Sequence, residues 1–187
     1  GTDKITSIVG SSAGAVMGAF IASGTRVDLL EASLHQKQVY APKLEGWIKT
    51  LTSTMLFKPR FGDIGRQTMA TTLDGLKFIA SLPRIYNRDV LAELIDMLVH
   101  SQGHVAGFFD SVALEDLFRS VLPNATFQDT DIDLYVTGTA LDTGMRAVFN
   151  AHYEFVDEEN SFITDVPIHR AVRASTAVPG MFEPVKI

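Results

Sequence analysis

The feature that most constrains this chain is a Gly-x-Ser-x-Gly motif between a predicted strand and a predicted helix. Residues 4–9 are rich in β-branched side chains, which is typical of a short buried strand. The motif occupies 10–14, and the small apolar residues at 13–23 predict a helix. A serine on such a tight turn adopts a strained backbone conformation and projects its hydroxyl outward. The pattern therefore predicts Ser12 as a nucleophile.

The neighbours of Ser12 have roles in the same prediction. We expect Gly10 and Gly14 to give the turn room, because a Cβ at either position would collide with the adjoining strand or helix. Ala13 and Gly14 begin the helix, whose free N–H groups and positive dipole end favour an oxyanion beside Ser12. A Gly- and Ser-rich turn before a helix is also typical of a phosphate cradle or a plain cap, so the motif alone leaves these alternatives open.

The composition agrees with an ordinary folded core and excludes several classes of protein. The chain has 187 residues, of which 46% are apolar and 20% charged. It has no Cys, which excludes a disulfide-stapled miniprotein. Its 16 Lys and Arg against 22 Asp and Glu argue against a nucleic-acid partner. No apolar run approaches the roughly 20 residues that span a bilayer. We expect no cofactor and no bound metal.

The order of predicted elements favours a layered α/β fold around a central sheet. Residues 38–104 have a looser pattern, with helices predicted near 43–56, 64–81 and 88–101, and we interpret them as a helical cap inserted into the domain. The elements predicted outside this cap, after the motif helix, are helices at 27–37, 107–122 and 166–174 and strands at 132–139, 145–149 and from 185.

Three blocks of the sequence resemble the patatin-like phospholipase family, and they occur in the family's order. They are Val-Gly-Ser-Ser-Ala-Gly-Ala at 9–15, Leu-Tyr-Val-Thr-Gly-Thr-Ala-Leu-Asp-Thr-Gly at 134–144, and Ala-Val-Arg-Ala-Ser-Thr-Ala-Val-Pro-Gly-Met-Phe-Glu-Pro at 171–184. The cap region at 38–104 carries little resemblance. The resemblance implies a three-layer α/β sandwich with a central, mostly parallel sheet. It also implies that residues 1–187 are an internal fragment of one patatin-like domain, incomplete at both ends.

The resemblance further implies a serine-dependent lipid acyl hydrolase. Such an enzyme cleaves phospholipid or lysophospholipid esters through an acyl-enzyme on Ser12, with an aspartate as the partner of a Ser-Asp dyad. The family's Asp-Gly-Gly or Asp-Gly-Ala motif and its Gly-rich oxyanion loop are both missing from this sequence, where Asp74-Gly75 is the only Asp-Gly pair. We therefore expect the aspartate to lie beyond Ile187 and this chain alone to be inactive. An acyltransferase of the same fold and an inactive lipid-binding homologue remain alternatives.

Other polar residues offer competing sites. Asp142 or Asp165 with His152 or His169 would crudely fit the chain order of a Ser-His-Asp triad. We interpret Asp142 instead as a turn residue whose carboxylate accepts nearby N–H groups. Acidic residues at 129, 131 and 133 and at 157–159 lack a glycine-centred loop, which favours a solvated surface over a metal site.

Residues 47–60 combine Trp47 and aliphatic side chains with Lys58 and Arg60. This composition is typical either of a cap helix packed on the core or of transient contact with a membrane surface. A lipid ester is the expected partner. The sequence leaves the compartment open, with the cytoplasm or the membrane periphery favoured.

Overall fold

The computed structural model describes residues 4–36, 38–48, 58–59, 109–110, 112–178 and 182–187. The helices are α1 Ala13–Ala22, α2 Val27–Gln36, α3 Val112–Val121 and α4 Ile168–Thr176, with 3-10 turns at Pro42–Leu44 and Phe127–Asp129. The strands are β1 Ser7–Ser11, β2 Val39–Ala41, β3 Gly46–Ile48, β4 Lys58–Pro59, β5 Phe109–Asp110, β6 Asp133–Thr139, β7 Arg146–Phe149, β8 Phe155–Val156 and β9 Asn160–Ile163. No helix in these ranges is long and apolar enough to cross a membrane.

Five strands form the central sheet, in the order β1-β6-β7-β9-β8. Strand β1 runs parallel to β6 and β7 runs parallel to β9, whereas the β6–β7 and β8–β9 pairs are antiparallel. Ser11 lies opposite Thr137 in the register of the first pair. Because parallel neighbours end at the same edge of a sheet, the carboxyl ends of β1 and β6 lie together. The predicted α/β fold, with helices flanking a central sheet, is confirmed.

Helix α1 lies against this sheet, and its small side chains allow a close approach. Ala15, Ala19 and Ala22 are fully buried. A Cβ built on Gly18 would lie 3.0 Å from the Cγ2 of Ile8, so a larger residue there would crowd the strand below. The helix packs on β1, β6 and α4. The predicted apolar helix at 13–23 therefore forms, and it ends one residue early.

A buried ion pair joins α3 to α4. The carboxylate of Glu115, a residue only 8% exposed, accepts a hydrogen bond from Arg173 Nη1 at 2.5 Å. Burial raises the pKa of Glu115, but the hydrogen bond and positive charge of Arg173 outweigh that effect and hold this pKa below its ordinary value. Ile168, Ala171 and Val172 of the same helix are buried in the core. Helix α4 is therefore held both by its apolar residues and by the ion pair to α3.

Predicted elements differ from the structure at several places. The strand predicted to begin at 185 is wrong, because residues 183–187 form no helix or strand. The first strand is Ser7–Ser11 instead of 4–9, because its pairing with β6 continues into the motif. The helix predicted near 43–56 is wrong in its described part, where β2 and β3 form an antiparallel pair. Pro42 begins a 3-10 turn and Glu45 has a left-handed backbone, so the chain reverses direction there. The rest of that helix, and the helices predicted at 64–81 and 88–101, lie outside the described residues.

Candidate active site

Ser12 stands between β1 and α1 with a backbone conformation that is unusual for a residue with a side chain. Its φ is 51° and its ψ is −122°. Such a conformation costs about 1–3 kcal/mol and persists only where the surroundings fix it. Ser12 occupies the N-cap position, but its side chain makes no capping hydrogen bond to the helix. The residue is exposed, so its hydroxyl is accessible for chemistry.

The two motif glycines have different surroundings. A Cβ on Gly10 would lie 2.5 Å from the carbonyl oxygen of Gly14 and 2.7 Å from the Cα of Ala15. Both are backbone atoms, so the expected collision is confirmed for this glycine. A Cβ on Gly14 would meet nothing within 4 Å, and the same expectation is wrong there. Gly14 lies in the first turn of α1, where its α-carbon faces open space.

The main-chain N–H of Ser12 is held by a serine from the far end of the chain. It donates a hydrogen bond to the Oγ of Ser175 at 2.8 Å. The Ser175 hydroxyl in turn donates to the carbonyl oxygen of Thr137 at 2.7 Å. Thr137 Oγ1 lies 3.4 Å from the carbonyl oxygen of Gly10 and donates to it. Ser175 lies within the third block of family resemblance, but no local pattern of residues assigns it a role.

The first turn of α1 contacts Ser12 through main-chain N–H groups. The N–H groups of Ala15 and Val16 bond to the carbonyl oxygen of Ser12. Within the described residues, the Ala13 N–H bonds to no acceptor. A helix N-terminus with a free N–H favours negative charge nearby. The role of Ala13 in supporting an oxyanion stays a prediction.

Ser12 lines an open cleft with a volume of about 1530 Å³. The cleft lies at the carboxyl ends of β1 and β6 and is bounded by the β6–β7 turn, the end of α4 and residues 182–187. Its larger apolar lining residues include Leu141, Met145, Phe149, Ile163, Val178 and Phe182, and its charged lining comprises Asp142, Arg146, Glu158, Glu159 and Lys186. An apolar wall of this kind beside a hydroxyl suits a substrate with hydrocarbon chains.

The residues of the alternative Ser-His-Asp triad are not brought together. His152 Nε2 lies 2.9 Å from Asp133 Oδ1 on the protein surface. His169 packs beside Glu115, and burial, together with the charge of Arg119, lowers the pKa of this histidine. No histidine of the described ranges lines the cleft. The triad alternative is therefore wrong for these residues.

Asp142 does line the cleft, but its turn is built differently from our expectation. The N–H of Gly144 bonds to the carbonyl oxygen of Ala140 at 2.8 Å, and the N–H of Met145 bonds to Thr143 Oγ1 at 3.3 Å. The exposed Asp142 carboxylate accepts no hydrogen bond from the described part of the chain. The predicted turn is present, whereas the predicted carboxylate contacts are not.

Two of the acidic residues considered as metal ligands, Asp129 and Asp157, have structural partners. Asp129 Oδ2 accepts a hydrogen bond from Thr126 Oγ1 at 2.6 Å. Asp157 Oδ1 accepts the N–H groups of Glu159 and Asn160, and hydrogen bonds from Asn160 and these N–H groups lower the pKa of Asp157. Where the structure describes the chain, no group of three or more acidic or histidine side chains is arranged to hold a metal ion.

A strained serine at a strand-to-helix turn, above the carboxyl ends of parallel strands, is the arrangement of an α/β protein with a nucleophile elbow. The sequence model of the patatin-like phospholipase family matches residues 2–187. The chain belongs to this family, which places it among lipid acyl hydrolases at the family level. The match includes the region 38–104, where our comparison of motifs found little resemblance. No curated protein matches the chain significantly.

Proposed function

We propose that this protein is a serine-dependent lipid acyl hydrolase in which Ser12 forms the acyl-enzyme. One observation carries the proposal: Ser12 has a φ of 51° at the N-terminus of a helix and opens onto a cleft. A backbone strain of this kind is retained where it serves chemistry. Membership of the patatin-like phospholipase family supports an ester of a fatty acid as the substrate.

In the proposed reaction the Ser12 oxygen attacks the ester carbonyl while a carboxylate base takes its proton. The resulting oxyanion is stabilised by the Ala13 N–H and by the positive end of the α1 dipole. The ester C–O bond then breaks, and the leaving alcohol takes the proton from the base. Water, deprotonated by the same base, hydrolyses the acyl-enzyme and regenerates Ser12.

We further propose that the base is an aspartate outside residues 1–187, as the family resemblance implies. The acidic residues of the described cleft lining, Asp142, Glu158 and Glu159, are all exposed to water. A carboxylate with an ordinary pKa of about 4 is a weak base in such surroundings and needs partial desolvation to act. On this proposal the full-length protein is active and residues 1–187 alone are not.

The decisive experiment treats the full-length protein with a fluorophosphonate probe, which phosphonylates activated serines. We expect the wild type to be labelled and Ser12→Ala to remain unlabelled. Ser11→Ala is the matched control, because Ser11 is exposed and lines the same cleft but has no positive φ. If the wild type is labelled no better than Ser12→Ala, the proposal is wrong.

A product analysis then separates hydrolysis from acyl transfer. Wild-type protein is incubated with a phospholipid or lysophospholipid, with and without an added alcohol or thiol acceptor. Hydrolysis releases free fatty acid in both incubations, whereas an acyltransferase forms a new ester or thioester only with the acceptor. A protein that is not labelled by the probe and forms no product from the lipid, but binds lipid vesicles, would be the inactive homologue.

A further inference from the structure

We infer that Ser175 is a positioning residue of the nucleophile elbow: its hydroxyl fixes the main-chain N–H of Ser12 and thereby the direction of the reactive side chain. The inference rests on the proposed function of Ser12. It goes beyond that function because it assigns a role to a residue of α4, which lies 163 residues from Ser12 in the chain.

The Ser175 hydroxyl makes two hydrogen bonds, one as acceptor and one as donor. Its oxygen accepts the Ser12 N–H at 2.8 Å, and its hydrogen goes to the carbonyl oxygen of Thr137 at 2.7 Å. Both distances are typical of well-formed hydrogen bonds. A single hydroxyl therefore connects the elbow, strand β6 and helix α4.

The anchor itself is held firmly. Arg173, two residues before Ser175, pairs with the buried carboxylate of Glu115. Ala171 and Val172 are fully buried in the core. Thr137 lies in β6, between β1 and β7. Neither end of the Ser175 bridge can move easily, so the Ser12 N–H has one well-defined acceptor.

The bridge matters for catalysis because Ser12 is strained. Rotation toward an ordinary negative φ would relieve the strain and turn the Ser12 N–H away from Ser175. The same rotation would swing the Cβ and Oγ of Ser12 away from their direction in the elbow. Because its N–H already bonds to Ser175, Ser12 contributes no main-chain donor to an oxyanion. In the elbow the Ala13 N–H is then the donor to the oxyanion.

The neighbouring residue supplies a matched control. Thr176 Oγ1 bonds back to the carbonyl oxygens of Val172 and Arg173 within its own helix. It does not line the cleft. Removal of that hydroxyl in Thr176→Val tests what the loss of a hydroxyl at the end of α4 does by itself.

The experiment compares Ser175→Thr with Ser175→Val in the full-length protein. The two replacements have the same shape and differ in the hydroxyl, so a packing defect affects both. We measure kcat, KM, the rate of fluorophosphonate labelling and the thermal unfolding of each variant. We expect Ser175→Val to lose about 100-fold in kcat and in labelling rate with little change in KM, as for a displaced catalytic group. Ser175→Thr should recover most of that loss, and Thr176→Val should behave as the wild type.

The outcomes distinguish this inference from the proposed function. If the wild type is labelled at Ser12 but Ser175→Thr and Ser175→Val have equal kcat values, the positioning role is wrong while the hydrolase stands. A loss that appears equally in Thr176→Val also overturns the role, because it would reflect the end of α4 in general. If the wild type and Ser12→Ala are labelled alike, the hydrolase itself is wrong.

Discussion

Replacement of Gly10 by Ala tests the steric basis of the elbow directly. Gly10 is not among the described residues with positive φ, so an alanine backbone is permitted there and strain comes from contact alone. The added Cβ would lie 2.5 Å from the Gly14 carbonyl oxygen, 2.7 Å from the Ala15 Cα and 2.8 Å from the Ala15 nitrogen. All three are backbone atoms at the start of α1, so no side-chain rotation relieves the contact.

The cost of Gly10→Ala follows from these contacts. Overpacking a well-packed site typically costs about 1–3 kcal/mol, and a contact with backbone belongs at the upper end. We therefore expect the free energy of unfolding to fall by about 3 kcal/mol, or roughly 6–12 °C in Tm for a chain of this size. Gly14→Ala is the matched control, because its Cβ meets nothing within 4 Å. Alanine in place of a helical glycine should stabilise the protein by about 0.5–1 kcal/mol.

The assay is denaturant unfolding of both variants, followed by fluorophosphonate labelling under conditions where each is folded. We expect Gly10→Ala to be less stable and slower to label, because α1 must shift away from the strand and carry Ser12 with it. Gly14→Ala should keep the wild-type labelling rate. Equal stability of the two variants would refute the predicted collision, because only the Cβ at position 10 meets backbone atoms.

Two further predictions concern other parts of the molecule. Glu115→Gln should lower the free energy of unfolding near neutral pH by about 3 kcal/mol, because it removes a negative charge that pairs with Arg173, whose side chain is only 11% exposed. The folded protein lowers the pKa of Glu115 below its ordinary value of 4.5. The difference in free energy of unfolding between wild type and variant should therefore persist above pH 4.5 and shrink as the pH falls below it. A difference in urea unfolding that stays constant down to acid pH would contradict this. Trp47, the single tryptophan, is 39% exposed, and the centroids of its ring and the Tyr40 ring lie 5.4 Å apart in an edge-to-face arrangement. If the 47–60 region contacts membranes, the Trp47 fluorescence should shift to shorter wavelength on anionic vesicles and not on zwitterionic ones. If the protein sediments with vesicles but the fluorescence does not shift, Trp47 is not part of the contact.

The sequence was most informative where neighbouring residues decide the structure. The strand, the turn and the small-residue helix around Ser12 are local features, and each could be predicted from residues that are neighbours in the chain. Gly10 could be predicted for the same reason, since its neighbours in space are its neighbours in the chain. Gly14 could not be distinguished from it, because both glycines look alike until the direction of each α-carbon is known.

Long-range contacts could not be predicted in this way. Nothing in the local pattern pairs Ser175 with Ser12 or Glu115 with Arg173, because these partners meet only when α4 packs beside α1 and α3. The error at 43–56 has a different cause. Its apolar spacing favours a helix, but the turn between Pro42 and the left-handed Glu45 allows β2 and β3 to pair before a helix can begin.

These contacts change what the Gly-x-Ser-x-Gly motif can be taken to mean. The motif supplies a serine and removes one Cβ that would block the turn, but it does not supply the group that accepts the serine's N–H. That group comes from a helix near the other end of the chain, which is itself held by a buried ion pair to a third helix. A chain could keep the motif intact and still lose the strained geometry by a change in α4. The competence of this elbow is therefore a property of the packing around α4 as much as of residues 10–14.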